Sequence, residues 1–503
     1  MTHDIIVVGG GSAGCAMAGR LSEAGLKVLL LEAGKSDKHY RLQIPALTSS
    51  VVQHPDFDWR YAAEPDPSLN GRINVWCGGK RLGGGSSING MMFCRGHRWD
   101  YQHWCELGAD GWSYDDLLPF FRRMETNTRG EDAWRGGSGP VTVSDCAIDL
   151  PIMEAWLQAA IQAGTPRTDD HNGEHPGEGS DYAQVTQRNG LRSSATGYLT
   201  KVANPNTLTL ELEAQVTRVV IENGRAVGVE YLKNGQRHTV RSRHGVVVST
   251  GTMGTTRLLM VSGIGPADHL REVGVELVHH LPGLGQNLQE HVGTHLINSV
   301  NTPTISSEAY GLPLVKHAFN FALRRRGILT TSVGHVQSYI RTRPDLPAPN
   351  IQTTLTALAF DLDKEGKVVL RREPAISTTV CVSRPKSRGT IQLRSADPLA
   401  APVIRHQLLG DPDDVEQLAE GIEFAREMMA QPAIRDLITG EIRPGVSGKE
   451  LRDYVRMASI PFYHPVGTCR MGKDELAVVD PDLRVHGLGG LWVADNSVMP
   501  TLP

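Results

Sequence analysis

The chain has 503 residues, more than one ordinary domain holds, and two domains are the expectation. Hydrophobic residues make up 40% and charged residues 21%, which excludes a disordered or fibrous chain. A formal net charge of −4 favours neither nucleic acid nor an anionic membrane as a partner.

The chain opens on Asp4-Ile-Ile-Val-Val8, which reads as a buried strand. Gly9-Gly-Gly-Ser-Ala-Gly14 follows as a tight turn. A small-residue helix then runs to about Ala24 and stops at Gly25, and Lys27-Val-Leu-Leu-Leu-Glu32 is a second apolar strand ending in a carboxylate. This is a βαβ dinucleotide fingerprint in its proper context. Gly9 permits the turn, Gly11 lets a pyrophosphate approach the backbone, and Gly14 lets helix and strand lie close. Glu32 suits the two ribose hydroxyls of an adenosine and would repel a 2′-phosphate, which argues against NADP. The fingerprint leaves FAD and NAD both open.

Lys35 to Trp76 is irregular, and Phe57, Trp59 and Tyr61 within it read as core packing. Gly78-Gly-Lys-Arg-Leu-Gly-Gly-Gly-Ser-Ser-Ile-Asn-Gly90 reads as backbone passing close to a ligand. Tyr101 to Glu125 reads as helical, with Trp104, Leu107, Leu117, Leu118, Phe120 and Phe121 in the core. Ile152 to Ala163 is an amphipathic helix stopped by Gly164. Asp169-Asp-His-Asn-Gly-Glu-His175 is read as a polar turn, because Asn172-Gly173 and Pro176 prevent a helix from aligning its histidines; no metal site is expected. Alternating runs from Thr207 to Arg241, with turns at Asn223-Gly224 and Asn234-Gly235, predict an antiparallel meander. Gly245-Val-Val-Val-Ser-Thr-Gly251 returns to a buried parallel strand and a helix, Thr255 to Met260. Ser377 to Ser383, Gly389 to Arg394 and a helix over Asp413 to Met429, capped near Asp411, suggest a second domain. Gly490 to Asp495 reads as a last buried strand.

Seven scattered cysteines (Cys15, Cys77, Cys94, Cys105, Cys146, Cys381, Cys469) include no CxxC pair and read as reduced thiols of a cytoplasmic protein. The strand beginning at Asp4 leaves no room for a signal peptide, and no apolar run approaches the ~20 residues of a transmembrane segment.

Together the motifs resemble those of the glucose–methanol–choline (GMC) oxidoreductases, FAD-dependent enzymes that oxidise alcohols. The resemblance spans nearly the whole chain in order. It includes Gly9 to Gly14 with Glu32, Gly79 to Gly90, Gly251 to Gly265, and Gly283-Leu-Gly-Gln-Asn-Leu-Gln-Glu-His291. It continues through His464-Pro-Val-Gly-Thr-Cys-Arg-Met-Gly472, Val479-Asp-Pro481, and Val493-Ala-Asp495 with Ser497 to Pro500. It implies an α/β fold, with a doubly wound FAD-binding domain interleaved with an α+β substrate domain on a large antiparallel sheet. The expected spans are 1–150, 208–300 and 460–503 for the first, and 151–207 and 301–459 for the second.

The resemblance also implies cofactor contacts at Gly9, Gly11, Ser12, Ala13, Gly14, Glu32, Ala33, Arg81, Gly84, Ser87, Asn89, Gly90, Met91, Val216, Thr250, Gly251 and Asp495. Asn89–Gly90 would lie along the isoalloxazine, Gln215–Val216 near the adenine, and Asp495 at the ribityl–pyrophosphate. His464 is the implied catalytic base; an unperturbed histidine, with a pKa of about 6.5, suits removal of an alcohol proton. Ile88 stands where some relatives carry a histidine that bonds FAD, so non-covalent FAD is expected. Thr255-Thr256 replaces the usual Ser-Pro. The sequence ends at Thr501-Leu-Pro503, before the family's Ser-Gly-Asn-Thr-Asn-type segment and final helix. The natural protein is therefore expected to continue by a loop and a helix of about 11–12 residues or more, carrying a second catalytic Asn or His.

The expected activity is oxidation of an alcohol, with hydride passing to flavin N5 and then to O2 or a quinone-like acceptor. A flavin-dependent non-redox lyase and a catalytically impaired flavin-binding protein are the alternatives, and an NAD dehydrogenase is the weakest. Aromatic residues are only 6% and none clusters as a choline cage would require, so sugars, pyridoxine-like, aliphatic and choline-like alcohols all stay open.

Overall fold

The computed structural model describes residues 3–202, 204–362 and 368–503. His3–Val8 pairs in parallel with Val28–Leu31 on one side and the C-terminal half of Gln236–Val248 on the other. Leu208–Glu211 extends the sheet beyond Val28–Leu31, and Leu491–Val493 pairs with Val246–Val248. The central strands are buried on both faces, as parallel sheets require. Ile5, Val7, Val28, Leu30 and Val247 pack with Cys15 and Ala18 of the helix Ser12–Glu23. The alternate residues Ile6, Val8, Leu29, Leu31, Val246 and Val248 pack with Leu258 and Leu259 of the helix Gly251–Val261. This is the doubly wound arrangement.

The strand Gln236–Val248 belongs to two structures at once. Its first half pairs antiparallel with Arg225–Lys233, which pairs in turn with Gln215–Glu222. Asn223-Gly224 and Asn234-Gly235 both adopt the paired positive φ values of tight hairpin turns.

A second sheet is antiparallel throughout, in the order Ile438–Arg443, Val292–Val300, Ala375–Val382, Ile351–Thr356, Val336–Ile340, Gly179–Tyr182. Ile460–Pro461 joins the Val292 end. The helices Pro151–Gln162 and Pro412–Met429 cover one face, with Trp156, Leu157, Leu418 and Ile422 packed on Ile351, Leu355 and Val380. Gly421 permits the contact: a Cβ there would come within 2.6 Å of Val380.

Several expectations need correction. Tyr101 to Glu125 forms two helices, Arg98–Glu106 and Tyr114–Met124. Gly108 and Gly111 at positive φ break the run and Ser113 caps the second helix, which leaves Leu107 and Phe120 exposed. Leu208–Glu211 is a parallel edge strand of the first sheet, not part of the meander. Val292–Val300 pairs in the second sheet, one strand before the expected boundary at 300. In the 169–175 loop, Asp170, His171 and Asn172 are buried. Asp170 accepts from Arg135 Nε (2.6 Å), and Asn172 accepts the Arg95 N–H (2.7 Å). Among the described residues no cluster could hold a metal ion, and no helix is long and apolar enough to cross a membrane.

Candidate active site

Three glycine-rich turns meet at the carboxyl ends of the parallel strands, the usual ligand crevice of such sheets. Gly9 turns the chain at φ +93°, where a Cβ would lie 2.5 Å from the Ser249 carbonyl oxygen. At Gly14 a Cβ would lie 1.8 Å from the Gly9 oxygen. The first intrahelical bond is Cys15 N–H to Gly11 O (2.9 Å), so the N–H groups of Ser12, Ala13 and Gly14 lack intrahelical acceptors and form the positive helix end. The second turn closes on the first: Gly83 N–H donates to Gly10 O (2.7 Å), and Gly84, at φ +52°, would place a Cβ 2.7 Å from Gly11 Cα.

Glu32 is buried, with its two oxygens accepting the N–H groups of Gly10 (2.8 Å) and Gly34 (2.6 Å). Burial raises its pKa to about 7 against the lowering effect of those bonds. Ala214 N–H donates to the Glu32 carbonyl (2.9 Å), which brings the buried Val216 beside Glu32 and the half-buried Ala33.

Ser87 Oγ donates to the Leu82 carbonyl (2.7 Å), and Met91, at φ +64°, is buried. Gly90 packs so tightly that a Cβ would meet Val333 at 2.1 Å. Asn89 is exposed, and its Oδ1 accepts from Arg192 Nη1 (2.6 Å). Arg192 is buried and also bonds the carbonyl of Leu42 (2.9 Å) and Thr48 Oγ1 (2.8 Å), and burial lowers its pKa to about 10. Among the described residues it has no carboxylate partner. The Arg81 guanidinium lies over the Phe57 ring (4.6 Å), and its buried Nε has no acceptor; Arg257 Nε is likewise unpartnered. Ile88 is buried with Leu42, Val51 and Phe57.

Asp495 ties the third turn together. Its Oδ2 accepts from Gly251 N–H (2.8 Å) and Thr255 Oγ1 (2.6 Å), and its Oδ1 from Ser497 N–H (2.9 Å) and Oγ (2.6 Å). Thr255 Oγ1 also lies 2.9 Å from Thr250 Oγ1. Thr255 thus takes a structural role at the position of the usual Ser-Pro pair. Thr252 Oγ1 donates to the Pro465 carbonyl (2.7 Å), which links this turn to His464.

Tyr463, at φ +68°, turns His464 away from the short strand Ile460–Pro461. The buried Glu290 holds the backbone there, accepting the His464 N–H through Oε1 (2.7 Å). Burial pushes the Glu290 pKa well above the ordinary carboxylate range. His464 Nδ1 lies 3.0 Å from His291 Nδ1, and His291 Nε2 lies 2.9 Å from the Ser383 carbonyl oxygen. That carbonyl can only accept. Neutral His291 must then donate from Nε2 and accept at Nδ1, so His464 carries its proton on Nδ1 and its lone pair on Nε2. The His464 ring is open to the cleft on one side but crowded by protein on the others. Desolvation by the surrounding protein lowers its pKa to about 4; the half-buried His291 is lowered to about 3 by desolvation and by the neighbouring His464.

His291, Glu290 and Arg192 are absent from the sequence-derived site residues. His291 lies within a recognised motif, but its role depends on a partner 173 positions away.

The model of the GMC oxidoreductase N-terminal region matches residues 3–293, and that of the C-terminal region matches residues 385–503. The chain belongs to the GMC oxidoreductase family. It is 37% identical to an oxygen-dependent choline dehydrogenase of Brucella suis biovar 1, over 100% of this chain and 92% of that one. Among solved structures it resembles pyridoxine 4-oxidase from Mesorbium loti, at 28% identity and a TM-score of 0.89, covering 100% and 95% of the two chains. It also resembles an R554A formate oxidase from Aspergillus oryzae RIB40, at 26% identity and a TM-score of 0.92, covering 100% and 94%.

GMC oxidoreductases are FAD-dependent, and this chain is a flavin-dependent oxidoreductase acting on CH–OH donors. Its residues fit the cofactor. The Gly9–Gly14 turn and the free N–H groups behind it suit a pyrophosphate, and the unpartnered Nε atoms of Arg81 and Arg257 add cationic groups without carboxylate partners among the described residues.

Proposed function

We propose that the enzyme oxidises a small alcohol to a carbonyl compound, with His464 Nε2 as the base that takes the hydroxyl proton. The observation that carries this reading is the Ser383–His291–His464 chain, which leaves the Nε2 lone pair free. Bound FAD supplies the two-electron acceptor for the hydride leaving the carbinol carbon. The residues proposed to hold it are the Gly9–Gly14 turn with Ser12 and Ala13, Glu32 with Ala33 and Val216 at the adenosine end, and Arg81, Gly84 and Ser87. Asn89 to Met91 lie toward the reacting ring, and Thr250, Gly251 and Asp495 hold the third turn in place. Attachment is non-covalent, since Ile88 offers no nucleophile.

As His464 takes the proton, its Nδ1–H still donates to His291. Burial keeps His291 neutral, so the new imidazolium faces an acceptor and not a second cation. At neutral pH His464 is already deprotonated and ready to act.

Choline is the first substrate to try, because a relative named for it is similar along the whole chain. Pyridoxine follows from the structural neighbour. O2 and a quinone-like compound are the proposed acceptors. Seven free cysteines favour the cytoplasmic compartment. An anaerobic panel of choline, pyridoxine and simple aliphatic and aryl alcohols, read by loss of oxidised flavin absorbance, tests the reading, and admitting air afterwards tests O2 as acceptor. Bleaching by at least one alcohol is expected. Turnover with the flavin left oxidised would point to a non-redox lyase instead.

A further inference from the structure

The helix Gly311–Arg324 lies on the surface with an uncovered apolar stripe. Leu312, Val315, Phe319 and Leu323 are exposed by 85%, 65%, 68% and 68%. Their spacing of three and four places them on one face of the helix. Large side chains so exposed in one contiguous row mark an interaction surface, whereas scattered ones do not.

The charges carried by the helix itself are of one sign, and Glu308, just before it, pairs with His317 (3.2 Å). Lys316 is exposed beside the stripe, and the exposed Arg324, Arg325 and Arg326 end it. None of the four pairs with a carboxylate among the described residues, and residues 309–330 contain no Asp or Glu at all. The chain's net charge of −4 conceals this local excess.

We propose that this helix docks the enzyme on an anionic lipid bilayer, lying in the plane of the surface with the stripe in the headgroup–acyl boundary. An apolar face with a basic flank is the pattern of interfacial helices that lie on a membrane without spanning it. A second copy fits less well: an isologous contact sets the same basic strip against itself, with no acidic group on the strip to offset it. Lipid phosphates supply the missing charge.

The docked face adjoins the active site. The helix leads through Ile328–Thr330 into Thr331 to Gly334, and this segment packs on Gly90 to Met92. Gln187 Nε2 donates to the Thr330 carbonyl (2.9 Å), and Val333 N–H to the Gly90 carbonyl (3.4 Å). Docking therefore stands apart from the choice of substrate but holds the flavin-side segment near the bilayer.

Flotation of the FAD-loaded enzyme with vesicles tests the proposal, using phosphatidylcholine alone or mixed with phosphatidylglycerol. The wild type is expected to float with the mixed vesicles, less with phosphatidylcholine, and less again as salt rises. Phe319→Ser/Leu323→Ser should reduce the bound fraction at least about tenfold on both vesicles. Arg324→Gln/Arg326→Gln should remove the preference for phosphatidylglycerol. Both variants should keep their flavin and their turnover with a soluble acceptor, which separates a docking defect from misfolding or a wrong assignment of the reaction. Wild-type enzyme that stays unbound, or flotation unchanged by either pair of substitutions, would overturn the proposal. So would a wild-type dimer that Phe319→Ser/Leu323→Ser converts to monomer, since the stripe would then be covered by a second copy.

Discussion

His291→Leu removes the acceptor for His464 Nδ1 and leaves the base itself in place. The lost contact is the 3.0 Å Nδ1–Nδ1 hydrogen bond. A neutral hydrogen bond contributes about 0.5–1.5 kcal/mol net. A barrier increase of about 1.4 kcal/mol slows a reaction tenfold. If the bond's full value is lost from the tautomer that holds the lone pair on Nε2, flavin reduction should slow by about twofold to about twelvefold. The assay is anaerobic stopped-flow reduction with a substrate found in the alcohol panel, on protein of matched flavin content. His291→Asn puts an amide oxygen near the lost Nδ1 and should recover most of the rate. A leucine variant reducing its flavin at the wild-type rate would refute the tautomer argument, as would an asparagine variant no faster than leucine.

Glu32→Ala removes the acceptor of two buried N–H bonds at 2.8 and 2.6 Å and should weaken FAD binding by about 1–3 kcal/mol, measured by flavin retention on dialysis; unchanged retention would exclude a role for this carboxylate in holding FAD. Gly14→Ala forces a Cβ to within 1.8 Å of the Gly9 oxygen and should cost at least about 1–3 kcal/mol in urea unfolding, with loss of FAD; an unaltered midpoint would show that the two segments separate freely. Acid precipitation should leave the yellow colour in the supernatant, because Ile88 cannot bond the flavin; colour retained in a washed pellet would identify another attachment point.

The parts of this enzyme that sequence made legible are those whose physical demand is local. Gly9 is required by its positive φ and Gly14 by its close contact with the Gly9 carbonyl, so their spacing alone identifies them. Glu32 is found the same way, at the end of the second strand. The helix Pro412–Met429 announces itself through Asp411, whose side chain caps it by accepting the Asp413 N–H. What escaped depends on distant partners. Arg192 reaches Asn89 across 103 positions, and His291 reaches His464 across 173. Leu208–Glu211 alternates like the meander after it, and only its pairing with Val28–Leu31 tells the two apart. The exposed stripe of Gly311–Arg324 was hidden differently: its pattern is that of any amphipathic helix, and only the fold shows that nothing among the described residues covers it.

The central claim is that His464 is the base of an alcohol oxidation. It is tested most directly by the pH dependence of anaerobic flavin reduction in the wild type and in His464→Ala. Crowding by the surrounding protein lowers the pKa of His464 to about 4, so the neutral base persists well below the ordinary histidine range. The wild-type rate should therefore be level through neutral pH and fall only as the pH approaches that value. His464→Ala should stay yellow and reduce its flavin at least ~10²-fold more slowly at every pH. An alanine variant near the wild-type rate would contradict the account; a wild-type profile that loses activity as pH falls through about 6.5, the value of an unperturbed histidine, would contradict only the lowered pKa.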